Sequence, residues 1–231
     1  MSEMDKDMKI SKTVFAVLIL SLPLLLNFGC GKKSRLEGKV VDGKNRPIAG
    51  VKVIARQNEP VEGYEQFEST TGSDGKFTFK KLYPTASYTL SIWHKDWKTD
   101  TTMTTEAAPE GETTLLQEPL KVLMTVDNEG IITDTATRLQ WYVGSDNDTN
   151  WDEANLWVKS LSVGGGGGWR MPARAELRGF YDAGMEFDHW VWSGEIYSPS
   201  EAWAFLFYNG YDVYNDRSDS AGGRAFAVRN R

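Results

Sequence analysis

The sequence predicts an all-β sandwich followed by an α+β domain, both behind a short N-terminal signal segment. Three observations carry that prediction. Between about residues 36 and 124, apolar residues alternate with polar ones and turn residues punctuate them. Near residue 150 a capped amphipathic stretch leads through a glycine run into a second helical segment. From Val14 to Leu26 the residues are all apolar or small, the profile of a signal h-region.

The 231 residues allow one or two modest domains, and a composition of 40% hydrophobic and 25% charged residues is that of a folded chain. A single cysteine forbids an internal disulfide. Two histidines, His94 and His189, leave too little for a His/Cys zinc centre or a Cys/His nucleophile pair. Residues 31–124 hold 14 basic and 13 acidic groups, whereas 125–231 hold 9 and 16. A net negative second half repels nucleic acid. No G-x-S-x-G elbow, H-E-x-x-H helix or phosphate-binding loop is present, so no catalytic residue, metal or cofactor is assigned.

Lys9 and Lys12 precede VFAVLILSLPLLL at 14–26, which is short of the ~20 residues that span a bilayer as a helix. Met1 and Met8 both remain open as the start. The run closes on Asn27-Phe28-Gly29-Cys30, which resembles a bacterial lipoprotein processing site. That resemblance implies that Cys30 becomes the acylated first residue and that the lipid bilayer is a partner. The expected location is then the bacterial cell envelope, lipid-anchored at the outer membrane, with its periplasmic or outer side open. Residues 1–30 form the signal segment and 31–35 a basic spacer.

In the stretch 36–124, Val51, Val53 and Ala55 alternate, Asp42-Gly43 and Asn45-Arg46-Pro47 are turn chemistry, and Ser73-Asp74-Gly75 is another turn. Phe77 and Phe79 alternate with lysines and a threonine, and Tyr88, Leu90 and Ile92 alternate beyond Pro84. Asp74 reads as an Asx-type cap and His94 as a solvated loop residue. Thr99 to Thr114 reads as a long edge loop, and Leu115 to Met124 as the last strand. The series G-K-V-V-D, P-I-A-G-V-K-V, S-D-G-K-F-T-F, L-Y-P and Y-T-L-S-I resembles the carboxypeptidase regulatory-like domain. The resemblance implies a seven-stranded, transthyretin-like or Ig-like module that spaces or presents its neighbours.

Residues 125–231 hold seven of the nine tryptophans. Asn150 and Glu153 make a capping box, with Trp151, Ala154, Val158 and Leu161 on one helical face. Gly164 to Gly168 reads as a flexible connector, and Ala173 to about Tyr181 as a second helix. An antiparallel meander is expected from Trp190 to Val228. The elements T-D-T-A-T-R-L-Q-W, N-W-D-E-A, W-R-M-P-A-R-A-E-L, V-W-S, A-W-A-F and A-F-A-V-R resemble the Lcl C-terminal domain family. That resemblance implies a C-type-lectin-like fold on exported bacterial proteins, with attachment to carbohydrate in the best-known member.

Trp169, Arg170 and Glu176 read as a structural node in which a guanidinium satisfies a carboxylate and carbonyls while the indole packs the helices. The candidate ligand site is Tyr208, Asn209, Tyr211, Asp212, Tyr214, Asn215 and Asp216, where aromatic faces sit beside amides and carboxylates around Gly210. Two readings of it stand open: a polar-ligand site, or a hairpin whose aromatics stabilise cross-strand pairs. Asp146, Asp148, Asn150 and Asp152 alternate as oxygen donors. Trp151 and Trp157 occupy the places where an EF-hand loop needs Gly and Glu, which favours a self-solvating, helix-capping loop over calcium. The two segments 31–124 and 125–231 are expected to fold independently. The expected function is non-enzymatic binding or adhesion to carbohydrate or another polar surface ligand. Two alternatives stand beside it, a structural envelope protein whose head binds another protein and a degenerate formylglycine-oxidase-like domain. The latter chemistry depends on a cysteine pair, and no cysteine follows Cys30.

Overall fold

The computed structural model describes residues 33–145 and 147–231. The signal segment with Cys30, and Asp146, lie outside the described residues. Lys32–Arg231 forms one compact unit.

The first layer pair is the expected sandwich. One sheet joins β1 (Ser34–Asp42) antiparallel to β4 (Lys76–Leu82) and parallel to both β8 (Thr113–Leu115) and β9 (Leu120–Val122). The other runs β3 (Gln66–Thr70), β2 (Lys52–Gln57), β5 (Ser87–Trp93), β7 (Thr102–Glu106). Alternating residues from both sheets meet in a core that includes Leu36, Val53, Phe77, Phe79, Tyr88, Leu90 and Leu120. The Asx cap at Asp74 forms, its Oδ1 accepting from the Lys76 N–H at 3.1 Å.

Three expectations change here. The stretch expected to be a long edge loop contains β7, which pairs with β5 from Ser87↔Glu106 to Ser91↔Thr102. Its threonines alternate around an inward Met103, so the polar composition hides a half-buried strand. The final strand breaks in two, because Leu116 to Pro119 loop out between β8 and β9. His94 is not freely solvated: its ring stacks on Trp97 at 4.7 Å, and Nδ1 accepts from the Asp96 N–H.

The second part holds two helices and two sheets. A five-stranded sheet runs β17 (Phe226–Asn230), β12 (Leu139–Val143), β11 (Ile132–Asp134), β10 (Met124–Asp127), β6 (Trp97–Lys98). A four-stranded sheet runs β15 (Tyr211–Asp216), β14 (Glu201–Leu206), β13 (Trp190–Ile196), β16 (Gly223–Arg224). Helix α1 (Trp151–Ser160) carries the predicted capping box, with Asn150 accepting from the Glu153 N–H at 3.0 Å and Glu153 from the Asn150 N–H at 3.1 Å. Helix α2 (Arg174–Asp182) lies against β13 and β14, with Leu177 and Phe180 buried.

The meander is only partly as expected. β13, β14 and β15 are antiparallel neighbours, but β16 pairs parallel with β13, and β17 crosses to pair with β12. Residues 223–228 are buried throughout. A strand buried on both faces has no period-2 signature to betray which sheet it joins. The glycine run is likewise no free connector. The Arg229 guanidinium donates to the carbonyls of Val163, Gly164, Gly166 and Gly167 at 3.0–3.5 Å, while its Nε donates to Gln140 at 2.8 Å.

Hydrogen bonds cross between the two parts. β6 is contributed by the 36–124 segment to the second part's sheet, where Lys98 faces Val126 and Trp97 faces Asp127. The Gly43 N–H donates to Thr135 Oγ1 at 2.8 Å, and that hydroxyl donates to the Val122 carbonyl at 2.6 Å. Arg46 donates to the Thr135 carbonyl and, through Nε, to Asp42 at 2.6 Å. Gly43 has a packing reason here, because a Cβ would lie 2.7 Å from that of Ala136. β1 therefore points its Asp42 end at the second part and its Ser34 end away from it.

Candidate functional site

The seven residues of the predicted hairpin do not converge. Tyr208 and Asn209 fall in the turn after β14, and Tyr211 to Asp216 form β15. Alternation along β15 sends Tyr211, Val213 and Asn215 to one face and Asp212, Tyr214 and Asp216 to the other. Tyr208 and Tyr211 are 63% and 66% exposed at the tip. Asn209 Oδ1 accepts from the Tyr211 N–H, and Asp216 Oδ1 accepts from the N–H and Oγ of Ser218, so both side chains serve turns. Gly210 holds φ at +75°, and a Cβ there would strike the Tyr181 ring at 2.8 Å.

Tyr214 belongs to a different grouping. It faces Trp203 across the β14–β15 ladder, and its ring stacks on Tyr197 at 4.0 Å with the planes 13° apart. Trp203 meets both rings edge-on, at 5.2 Å from Tyr197 and 5.6 Å from Tyr214. Tyr197 and Tyr214 are 49% and 47% exposed. The Arg174 guanidinium lies 4.0 Å over the Trp203 ring. It is held there by Glu195, whose Oε2 accepts from Arg174 Nε at 2.8 Å and whose Oε1 accepts from the Arg174 N–H at 2.9 Å. Glu195 thus supplies to α2 a cap that Ala173 has no side-chain oxygen to give. Partial burial opposes ionisation of Glu195, but the Arg174 N–H and guanidinium outweigh it and hold the carboxyl below the usual glutamate range. The Nη donors of Arg174 have no acceptor among the described residues and lie beside the aromatic shelf.

Sequence reasoning missed Tyr197, Arg174 and Glu195, and placed Trp203 only as a strand residue. Their separation along the chain is the reason. A signal existed in Tyr197-Ser198-Pro199-Ser200, an aromatic residue entering a Pro turn between two strands.

Of the proposed node, Arg170 and Glu176 form a two-bond pair at 2.7 and 2.6 Å, and Arg170 also donates to the Met171 carbonyl. Trp169 stands apart from that pair. Its Nε1 donates to the Val163 carbonyl, the Arg229 guanidinium covers its ring at 4.3 Å, and it packs in the core with Trp151, Ala154 and Val158. The two halves meet in the strand-like bridge between Arg170 and Val228.

The oxygen donors near residue 150 also have separate partners. Asp148 pairs with Arg224 at 2.6 Å, Asn150 caps α1, and Asp152 pairs with Arg217. The described residues contain no cluster of three or more metal-ligating side chains.

The paired strands β12 and β17, the two helices and the W-R-M-P segment that bridges to Val228 all fall within a stretch that matches one family. Residues 130–229 match the Lcl C-terminal domain family. Residues 35–117 match the carboxypeptidase regulatory-like domain. No curated protein matches the chain. The aromatic shelf and the exposed hairpin tip both lie within residues 130–229, and the Gly43–Thr135 contact joins that stretch to the sandwich, with β6 paired to β10 just before it. Neither matched family is catalytic.

Proposed function

We propose that the protein is a non-enzymatic binding protein of the bacterial cell envelope whose Lcl C-terminal domain captures a saccharide on the Tyr197–Trp203–Tyr214 shelf. The single observation that carries this reading is the exposed, mutually stacked pair Tyr197 and Tyr214, braced edge-on by Trp203 beneath a clamped Arg174. Aromatic faces stack on the apolar face of a sugar ring, while the outward Nη donors of Arg174 suit its hydroxyl oxygens. Rigid aromatics with pre-set partners lose little conformational entropy on binding.

Acylation of Cys30 fits the same reading, because the chain enters β1 at Ser34, the end away from the second part. Nine strand residues span roughly 30 Å, so the Asp42 end of β1, where the second part attaches, lies about that far from the entry point. Capture from a glycan array by the parent, and at least tenfold weaker capture by Tyr197→Ala and Tyr214→Ala variants of unchanged melting temperature, is the expected outcome. Equal capture by parent and variants would sink the proposal. For the anchor, Cys30→Ser should move the protein from the membrane to the soluble fraction.

A further inference from the structure

We propose that the sandwich carries its own binding site, a groove on the edge of β1 that takes a small amphiphilic anion, a medium-chain carboxylate. It arises from the break in the last sandwich strand. β8 pairs with β1 over Arg35 to Glu37 and β9 over Val40 to Asp42, so the looped-out Leu116 to Pro119 leave a gap beside Gly38 and Lys39. The gap is a groove of about 270 Å³ with Val41, Leu115, Leu116 and Pro119 in its wall. Gly38 leaves room for Leu116 to lie over β1 against the core, because a Cβ there would meet Leu116 at 2.7 Å and Phe77 at 2.6 Å.

Two lysines flank this apolar wall. Lys39 and Lys76 are direct partners across the β1–β4 ladder and both line the groove. Like charges set directly opposite destabilise a sheet unless something answers them. Lys76 has Asp74 at 3.2 Å, whereas Lys39 has no ion pair among the described residues. Glu37, the one carboxylate in the wall, lies 3.8 Å from Arg35. Leu115 is 60% exposed at the mouth, an apolar surface that an aliphatic tail would cover. A carboxylate between the two ammonium groups with its tail along Leu115 and Leu116 answers both features at once. A pocket of this volume lies just below the usual range for small-molecule sites, which favours a short tail. The site is independent of the aromatic shelf.

Titration of residues 32–231, the compact unit that holds every core described above, with octanoate, octanol and acetate tests the proposal by calorimetry. Octanoate should bind at one site, with octanol lacking the charge and acetate lacking the tail each roughly tenfold weaker or worse. Lys39→Gln with Lys76→Gln should bring octanoate down to the level of octanol without lowering the melting temperature. Leu115→Ser should weaken octanoate and leave acetate unchanged. Absence of octanoate binding, equal affinity for octanol, or undiminished binding by the double lysine variant would each overturn the assignment.

Discussion

Glu176 accepts from both Nη atoms of Arg170 and from the Ala173 N–H at 2.8 Å, tying the start of α2 to the strand-like segment before it. Burial alone would raise its pKa, yet the Arg170 and Ala173 donors win and hold it below the ordinary 4.5. A carboxyl depressed in the folded state stabilises fully above its unfolded pKa, and that contribution fades as pH falls through the folded value. Glu176→Gln should therefore lower stability by about 1–2 kcal/mol at pH 7, and the gap between parent and variant should narrow once the pH drops below about 4.5. Denaturant melts at pH 7 and pH 3.5 check this, and a constant gap would contradict it. Arg229 is the second residue on which much rests, since it stacks on Trp169 and fills a cage of four carbonyls. Lysine has three donors on a point charge and cannot reproduce a planar fork. Arg229→Lys should cost about 2 kcal/mol and speed proteolysis at 163–168, measured by melting and by mapping the first cleavage site. The pairing of Arg170 with Glu176 was visible because the two are six residues apart in a recognisable motif. The Arg229 cage was not, because more than sixty residues separate the guanidinium from the glycines and backbone carbonyls leave no mark in a sequence.

Among the elements, those whose apolar residues alternate with polar ones were legible as such. Val53 and Ala55, Phe77 and Phe79, and the capped face of α1 alternate at the period of their structure, so their identity follows from the pattern. β7 is hidden by threonines, and the sheet that β17 joins by burial on both sides. The hairpin around Gly210 was correctly placed as a turn between strands, but a tyrosine-rich text cannot show that residues 211 and 214 face opposite ways. That parity yields a prediction. Tyr208→Ala and Tyr211→Ala at the tip should leave saccharide capture within about twofold of the parent, whereas Tyr197→Ala and Tyr214→Ala should cost about 1.4 kcal/mol or more. Surface plasmon resonance of the four variants against one captured glycan separates the two, and the reverse ranking would move the site to the tip.

At the scale of the molecule, the sandwich and the second part share β6 and the Gly43–Thr135 contact, with Asp42 anchoring Arg46 beside them. Burial disfavours the Asp42 charge, but hydrogen bonds from Arg46 and Lys44 more than offset it and keep the carboxyl below the usual aspartate range. Cutting the chain at Met124 would leave residues 125–231 without the strand that edges β10. The 32–231 unit should therefore melt in a single calorimetric transition, and residues 125–231 alone should melt at least 5 °C lower, on the order of 1 kcal/mol for a domain of this size. Two separate transitions in the intact unit would show that the joint transmits no stability. The joint was illegible in the sequence because Trp97 and Lys98 lie amid sandwich strands and pair with a partner nearly thirty residues on. The central claim, that the head captures a saccharide on the shelf, is tested most directly by nuclear magnetic resonance of the 32–231 unit with a glycan taken from the array. The account predicts that the Trp203 indole N–H and the amides of Tyr197, Trp203 and Tyr214 shift on titration, while those of Tyr208 and Tyr211 stay in place. Shifts confined to the hairpin tip, or to neither place, would contradict it.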